Sequence, residues 1–176
     1  MPNDEPDQPS AAPPRPEATT KRAPESVWKY PRPPRVERET RRVRIIVDHQ
    51  LIAETSRALR VLETSHPPTI YLPMRAFQPG VLRPTHGSSL CEFKGVARYH
   101  DLIVGERRIE RAGWSYPTPA GRFAELHGHV AIYPGRVDEA WLGDERVQAQ
   151  EGDFYGGWIT SELVGPFKGA AGTRGW

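Results

Sequence analysis

Residues 96–116 read VARYHDLIVGERRIERAGWSY. Two β-rich halves, VARYHDLIVG and RRIERAGWSY, flank Gly105–Glu106, and a glycine at such a junction permits the tight reversal of a hairpin. The same grammar recurs on either side. RVRIIVD (42–48) sets Val43, Ile45 and Val47 on one face with period two. A tight turn near Asp48 and His49 leads into QLIAET (50–55), and ALRVLET (58–64) alternates again. TIYLP (69–73) and HVAIYPG (129–135) are short apolar runs closed by proline, and DEAWLG with ERVQAQ forms a further hairpin around Gly143–Asp144. TIYLP and VAIYPG look alike, as do the hairpin tips. That leaves open either a duplicated β unit or shared turn chemistry alone.

Helical signal is thin. PAGRFAEL (119–126) and residues 74–77 predict one turn or two. Many short strands at hairpin spacing predict a mostly β fold: antiparallel sheets in a folded-over, tent-like or barrel-like arrangement, with one or two short helical turns.

Ten of the nineteen prolines precede residue 35. Residues 1–25 cannot bury enough apolar surface to offset the entropy of ordering them, so a disordered leader is expected there. Residues 26–40 add Trp28 and Tyr30 to a proline-rich arm, expected to lie extended on the domain surface, since prolines keep it from being a central strand. The β domain is expected over 26–150. Residues 151–176 are glycine- and aromatic-rich, and they read as an ordered wrap in which Phe154, Tyr155, Trp158 and Phe167 need burial.

The 176 residues carry 24 basic and 22 acidic side chains, a net charge of +2. This balance gives no electrostatic signal for nucleic acid or an anionic membrane. The single cysteine cannot form an internal disulfide, and neither an apolar leader nor a run of about 20 apolar residues is present. The expected location is the cytoplasm. Oligomeric state is not legible.

The chemistry-bearing candidates cluster. Cys91 and Lys94 share SSLCEFKGVARY with Gly95. On a straight strand they would face opposite ways, whereas a bend at Gly95 would bring amine and thiol together. Cys91 is then either an activated thiol or a small apolar residue of the core. Lys94 is either an anion-binding group or an edge lysine that discourages strand pairing. Trp114 and Tyr116 share a strand face, with Tyr99 across the hairpin, as core or pocket wall. Arg60 and Glu63 straddle a strand and read most simply as surface charges. His127 and His129 form an H-x-H pair that would need His66 or Glu63 to complete a metal site, a weak pattern without cysteine pairs. No phosphate loop, dinucleotide fingerprint, GxSxG elbow or paired carboxylate motif for Mg²⁺ occurs. No cofactor and no metal is indicated.

LETSHPPTIYLP, CEFKGVARYHDLIVG, GWSYPTP and HVAIYPG together resemble the family called domain of unknown function 427, also labelled a nucleotidyltransferase-type domain. The resemblance covers about residues 26–150, and its most specific part is Cys-x-x-Lys-Gly at 91–95 with Tyr99 and Trp-Ser-Tyr-Pro at 114–117. It implies a small all-β domain of tent-like shape with no firmly attached activity. The pocket positions it implies are Glu63, Cys91, Lys94, Tyr99, Trp114 and Tyr116. Glu92 stands where the family often has proline. Three readings follow. The first is a small-molecule pocket for an anionic ligand, with Lys94, Tyr99, Trp114 and Tyr116 binding and Cys91, Lys94 and Glu63 as catalytic candidates. The second is a non-catalytic interaction or scaffold module. The third is nucleotidyl transfer, for which the carboxylate motif is missing.

Overall fold

The computed structural model describes residues 22–176, so the expected disordered leader lies, up to residue 21, outside the described residues. In chain order the strands are β1 (Glu25–Ser26), β2 (Arg35–Arg38), β3 (Val43–Val47), β4 (Gln50–Thr55), β5 (Leu59–Leu62), β6 (Thr69–Pro73), β7 (Leu82–Cys91) and β8 (Gly95–Val104). They continue with β9 (Arg107–Ser115), β10 (His129–Ile132), β11 (Glu139–Leu142), β12 (Glu145–Arg146), β13 (Gln148–Ala149), β14 (Trp158–Ile159) and β15 (Leu163–Val164). The helical content among the described residues is short 3-10 segments. Two match the expected turns, Met74–Ala76 and Gly121–Leu126, and two more occur at Val27–Lys29 and Pro134–Arg136. Pro134 opens the last of these, where its fixed φ and missing N–H fit a first helical position.

Seven strands form an open antiparallel sheet in the order β2-β5-β6-β10-β9-β8-β7, and four form a second in the order β12-β11-β3-β4. Free edges at β2 and β7 mean that the large sheet is not a closed barrel. The two stretches that look alike, TIYLP and HVAI, are neighbours here, with Val130 opposite Leu72. The hairpin between β3 and β4 turns on Asp48 and His49, both at positive φ, as a two-residue hairpin turn with matching twist requires.

The main core lies between the two sheets. Val43, Ile45 and Val47 of β3 meet Ile70 and Leu72 of β6, Leu102 and Val104 of β8, and Val130 and Ile132 of β10. Trp158 enters this core and donates its indole N–H to the Ile132 carbonyl at 3.0 Å. The intervening residues of the same strands, Tyr71, Ala97 and Ala131, face the other side of the large sheet, where Tyr116, Phe123 and Leu126 cover part of it.

The proline-rich arm supplies the edge strand β2, paired with β5, and β1 pairs in parallel with β15. Arm and tail are clasped by charge. Arg60 is ion-paired to Glu25 at 2.9 Å and to Glu37 at 2.8 Å, and Arg41 bridges Glu39 and Glu162. Arg60 is therefore no surface charge. It is 5% exposed, because the arm folds over it and delivers two carboxylates. Phe154 is a second correction. It is 67% exposed, since Tyr155 takes the inward place, and its ring meets that of Tyr155 edge-on with centres 5.1 Å apart.

Candidate functional site

The large sheet carries an aromatic row on its second face. The register places Tyr71, Ala131, Trp114 and Tyr99 side by side across β6, β10, β9 and β8. Ala131 is the small member, and over it the Trp114 indole N–H donates to the Tyr71 hydroxyl at 3.2 Å. Tyr133 packs on Trp114 with ring centres 4.5 Å apart. Gly156 lies against the Trp114 ring, where a Cβ would come within 2.4 Å of an indole carbon, so a glycine is required for the tail to close there.

Cys91 ends β7 and Gly95 opens β8, directly opposite each other. The chain between them is thus a three-residue hairpin loop rather than a bend within one strand, and Gly95 adopts φ +104°, a region costly for other residues. That reversal carries Lys94 and Cys91 to one cavity of about 340 Å³. Glu63, Tyr99, Trp114 and Tyr116 line the same cavity. All six positions singled out in the sequence therefore share one hollow.

Lys94 is 8% exposed, and its ammonium lies 6.0 Å from the centre of the Tyr116 ring and 5.9 Å from that of Phe123. No carboxylate among the described residues pairs with it. Glu63, by contrast, is ion-paired to Arg32 at 3.4 Å. The Tyr116 hydroxyl titrates far above its ordinary range, pushed up first by burial, then by the neighbouring Tyr71 and by Cys91, to which it is hydrogen-bonded. Burial likewise raises Tyr71, partly offset by the bond from Trp114. Burial, with the Tyr99 hydroxyl nearby, lifts Tyr133 to about 12. These phenols stay protonated at any physiological pH, and Tyr71 and Tyr116 are the two beside the thiol.

Residues from outside the β domain complete the wall, among them Tyr155, Lys168 and Trp176. Their contribution was not legible in advance, apart from the aromatic content of the tail. His66 also lines the cavity. Its Nδ1 bonds the Thr64 carbonyl at 2.9 Å, its ring meets Tyr155 edge-on, and burial holds it below the usual histidine range despite that bond and the charge of Glu63. It is consequently neutral near pH 7. His127 and His129 instead spend their Nδ1 atoms on the carbonyls of Pro117 and His127. Among the described residues no three His, Cys, Asp or Glu side chains gather as a metal site, so the H-x-H pair is not joined there by His66 or Glu63.

Residues 35–143 match the family described as a domain of unknown function, DUF427, with the short label NTP_transf_9. The chain belongs to the DUF427 family. No curated protein gives a significant match. Within the DUF427 stretch lie the aromatic row, Cys91, Lys94 and Glu63, whereas Arg32, Tyr155, Lys168 and Trp176 lie outside it. The DUF427 portion thus supplies the floor of the cavity, and the flanking segments supply its cover. Among the described residues no helix is long and apolar enough to cross a membrane.

Proposed function

We propose that this domain binds a small anionic molecule in the cavity beside Cys91, with Lys94 as the charge anchor. The observation that carries the reading is Lys94, whose side chain lines the cavity with no carboxylate partner among the described residues. A cation that opens into a hollow without a counter-charge favours an incoming anion. The sign of the guest follows from the rings as well. Tyr99, Tyr116, Tyr133 and Tyr155 each already have a protein cation nearby, from Arg111, Lys94, Arg136 and Lys168. An aromatic cage offered to a cationic guest would leave those ring faces open. The Tyr116 hydroxyl adds a neutral donor, and the volume sits near the small end of the roughly 300–1,000 Å³ usual for small-molecule sites.

Cys91 gives a built-in reporter, since it is the only thiol. Native protein is alkylated with iodoacetate and with iodoacetamide, and the ratio of the two rates is compared with that of free glutathione. The expected ratio favours the anionic reagent about tenfold more than glutathione does, as one added charge contact would give, and Lys94→Met brings it back to the glutathione value. A native ratio equal to that of glutathione rejects the anion pocket. A thiol that reacts with neither reagent until the protein unfolds removes any nucleophile role for Cys91.

A second reading, an interaction module without chemistry, draws on one observation. Leu90, 77% exposed, and Val96 pair across the β7–β8 hairpin as an apolar patch beside the cavity mouth. Nucleotidyl transfer, suggested by the family label, finds no support in the side chains of the cavity. Titration with a nucleoside triphosphate and Mg²⁺ tests it, and an unmoved melting temperature disposes of it.

A further inference from the structure

We infer that the cavity takes a straight-chain monocarboxylic acid head first, with its carboxylate at Lys94 and its hydrocarbon chain running outward past Phe154 and Trp176. This rests on the anion-pocket reading and names the ligand class.

The cavity is charged at its inner end and apolar at its mouth. Lys94 is 8% exposed, and its ammonium lies beside the rings of Tyr116 and Phe123, themselves 5% and 1% exposed. At the other end exposed apolar side chains gather. Among the described residues seven large apolar side chains are exposed, and three of them, Leu90, Phe154 and Trp176, line this one cavity. A fourth, Trp28, meets the Trp176 ring edge-on with centres 5.3 Å apart. Scattered exposed hydrophobics are ordinary, whereas a cluster rimming a hollow marks a surface suited to an apolar guest.

That rim is held in place by the main chain. The Trp176 carbonyl accepts from the Lys168 ammonium at 2.9 Å, and the Trp176 N–H donates to the Thr173 carbonyl at 3.1 Å. Trp28 donates its indole N–H to the Pro166 carbonyl at 2.8 Å, and the Phe154 carbonyl accepts from the Tyr133 hydroxyl at 3.4 Å. The aromatic side chains therefore stand at the mouth from fixed bases.

The other charges on the wall set the valence of the guest. Lys168 is committed to Trp176, Arg32 pairs with Glu63 at 3.4 Å, and burial keeps His66 neutral near pH 7. Glu92 also lines the cavity, exposed on the loop between Cys91 and Gly95, and its carboxylate disfavours further negative charge towards solvent. One cation inside, with a carboxylate and bare rings outside, calls for a single negative head and an uncharged tail. A second acid group would meet Glu92 and the rings.

The test uses the full chain and protection of Cys91 from iodoacetamide. Straight-chain monocarboxylates of two to ten carbons are titrated beside primary alcohols and dicarboxylates of equal length. Protection by the acids is expected to strengthen about threefold per added carbon, as burial of a methylene gives, and to level off once the chain has passed the rings. The alcohols, lacking the head charge, are expected to need about tenfold more, and the dicarboxylates to lose most of the gain with length. Phe154→Ser alters a side chain that is 67% exposed and so of little weight in the fold. It is expected to flatten the rise among the longer acids and to leave acetate and propionate unchanged. Equal protection by acids of every length overturns the inference, as do alcohols that match the acids, dicarboxylates that match the monocarboxylates, or a rise that Phe154→Ser leaves intact. Any of these results with the iodoacetate preference standing rejects the chain-bearing acid and keeps the anion pocket. Loss of that preference rejects the pocket itself. Should Phe154→Ser fail to fold, the length series on the unaltered protein still decides.

Discussion

The two faces of the large sheet are built from alternate residues of the same strands, and they follow opposite rules. On β6, Ile70 and Leu72 meet the small sheet while Tyr71 looks into the cavity. On β10, Val130 and Ile132 face one way and Ala131 the other. The core face is aliphatic and interlocked. The cavity face carries hydroxyls, an indole N–H, a thiol and the Lys94 ammonium around space left unfilled. Because a strand presents its side chains with period two, a single stretch such as TIYLP stabilises the fold with one half of its residues and builds the site with the other. Stability and binding are then expected to separate residue by residue.

The sharpest break of that comparison is between neighbours. Ile70→Ala is expected to lower stability by about 4 kcal/mol through lost burial and a cavity, read by denaturant unfolding, while the iodoacetate preference of the folded protein persists. Tyr71→Phe removes only a hydroxyl that accepts from Trp114, and about 1 kcal/mol is expected. Equal losses at the two positions would mean that the faces are not independent.

Next in size is the charge clasp. Burial works against ionisation of Glu39, but its bonds from Arg41, with charge from Arg41 and Arg22, prevail and hold it below the ordinary value of 4.5. Glu25 and Glu37 are lowered against the same burial by Arg60. A carboxyl whose folded pKa is depressed adds stability above its unfolded pKa and loses it as the pH falls through the folded one. Acid unfolding is therefore expected to begin below about pH 4.5. Glu39→Gln, which leaves Arg41 only its pair with Glu162, is expected to cost about 2 kcal/mol at pH 7 and to flatten the acid limb of a melting-temperature profile. An unchanged acid limb would contradict it.

Gly156→Ala places a methyl against Trp114 and Tyr133. About 2 kcal/mol of overpacking is expected, together with a shifted tryptophan emission and a weaker iodoacetate preference. The smallest effect on stability is at Lys94. Lys94→Met is expected to shift the stability of the ligand-free protein by no more than about 1 kcal/mol while abolishing its anion preference. A larger loss of stability would place the lysine among the residues that hold the fold.

The strands were legible because period-two alternation and the turn residues at 48–49, 105–106 and 143–144 act locally. The floor of the cavity was also approachable from sequence, since Cys91, Lys94, Trp114 and Tyr116 are distinctive types crowded into two stretches. Their convergence was harder to foresee, because it depends on 91–95 being a hairpin loop, and a lone glycine signals a bulge equally well. The cover was not legible. Lys168 meets the cavity through contacts with Ser65 and Gln150 that no local pattern announces. Arg60 looked like an exposed charge because its partner Glu25 lies 35 residues earlier, in a segment whose composition argues for disorder.

The rims of the large sheet bear on how the protein behaves at high concentration. The pairing of β7 with β8 is interrupted between Pro84 and Ser88, and β2, reached through Pro31, Pro33 and Pro34, displays Arg35, Glu37 and Arg38. A proline offers no amide to an incoming strand, a kinked ladder presents no straight template, and charged fringes repel a sister copy. Neither border can be zipped onto another molecule along its length, so crowding should not polymerise copies through the rims of the large sheet.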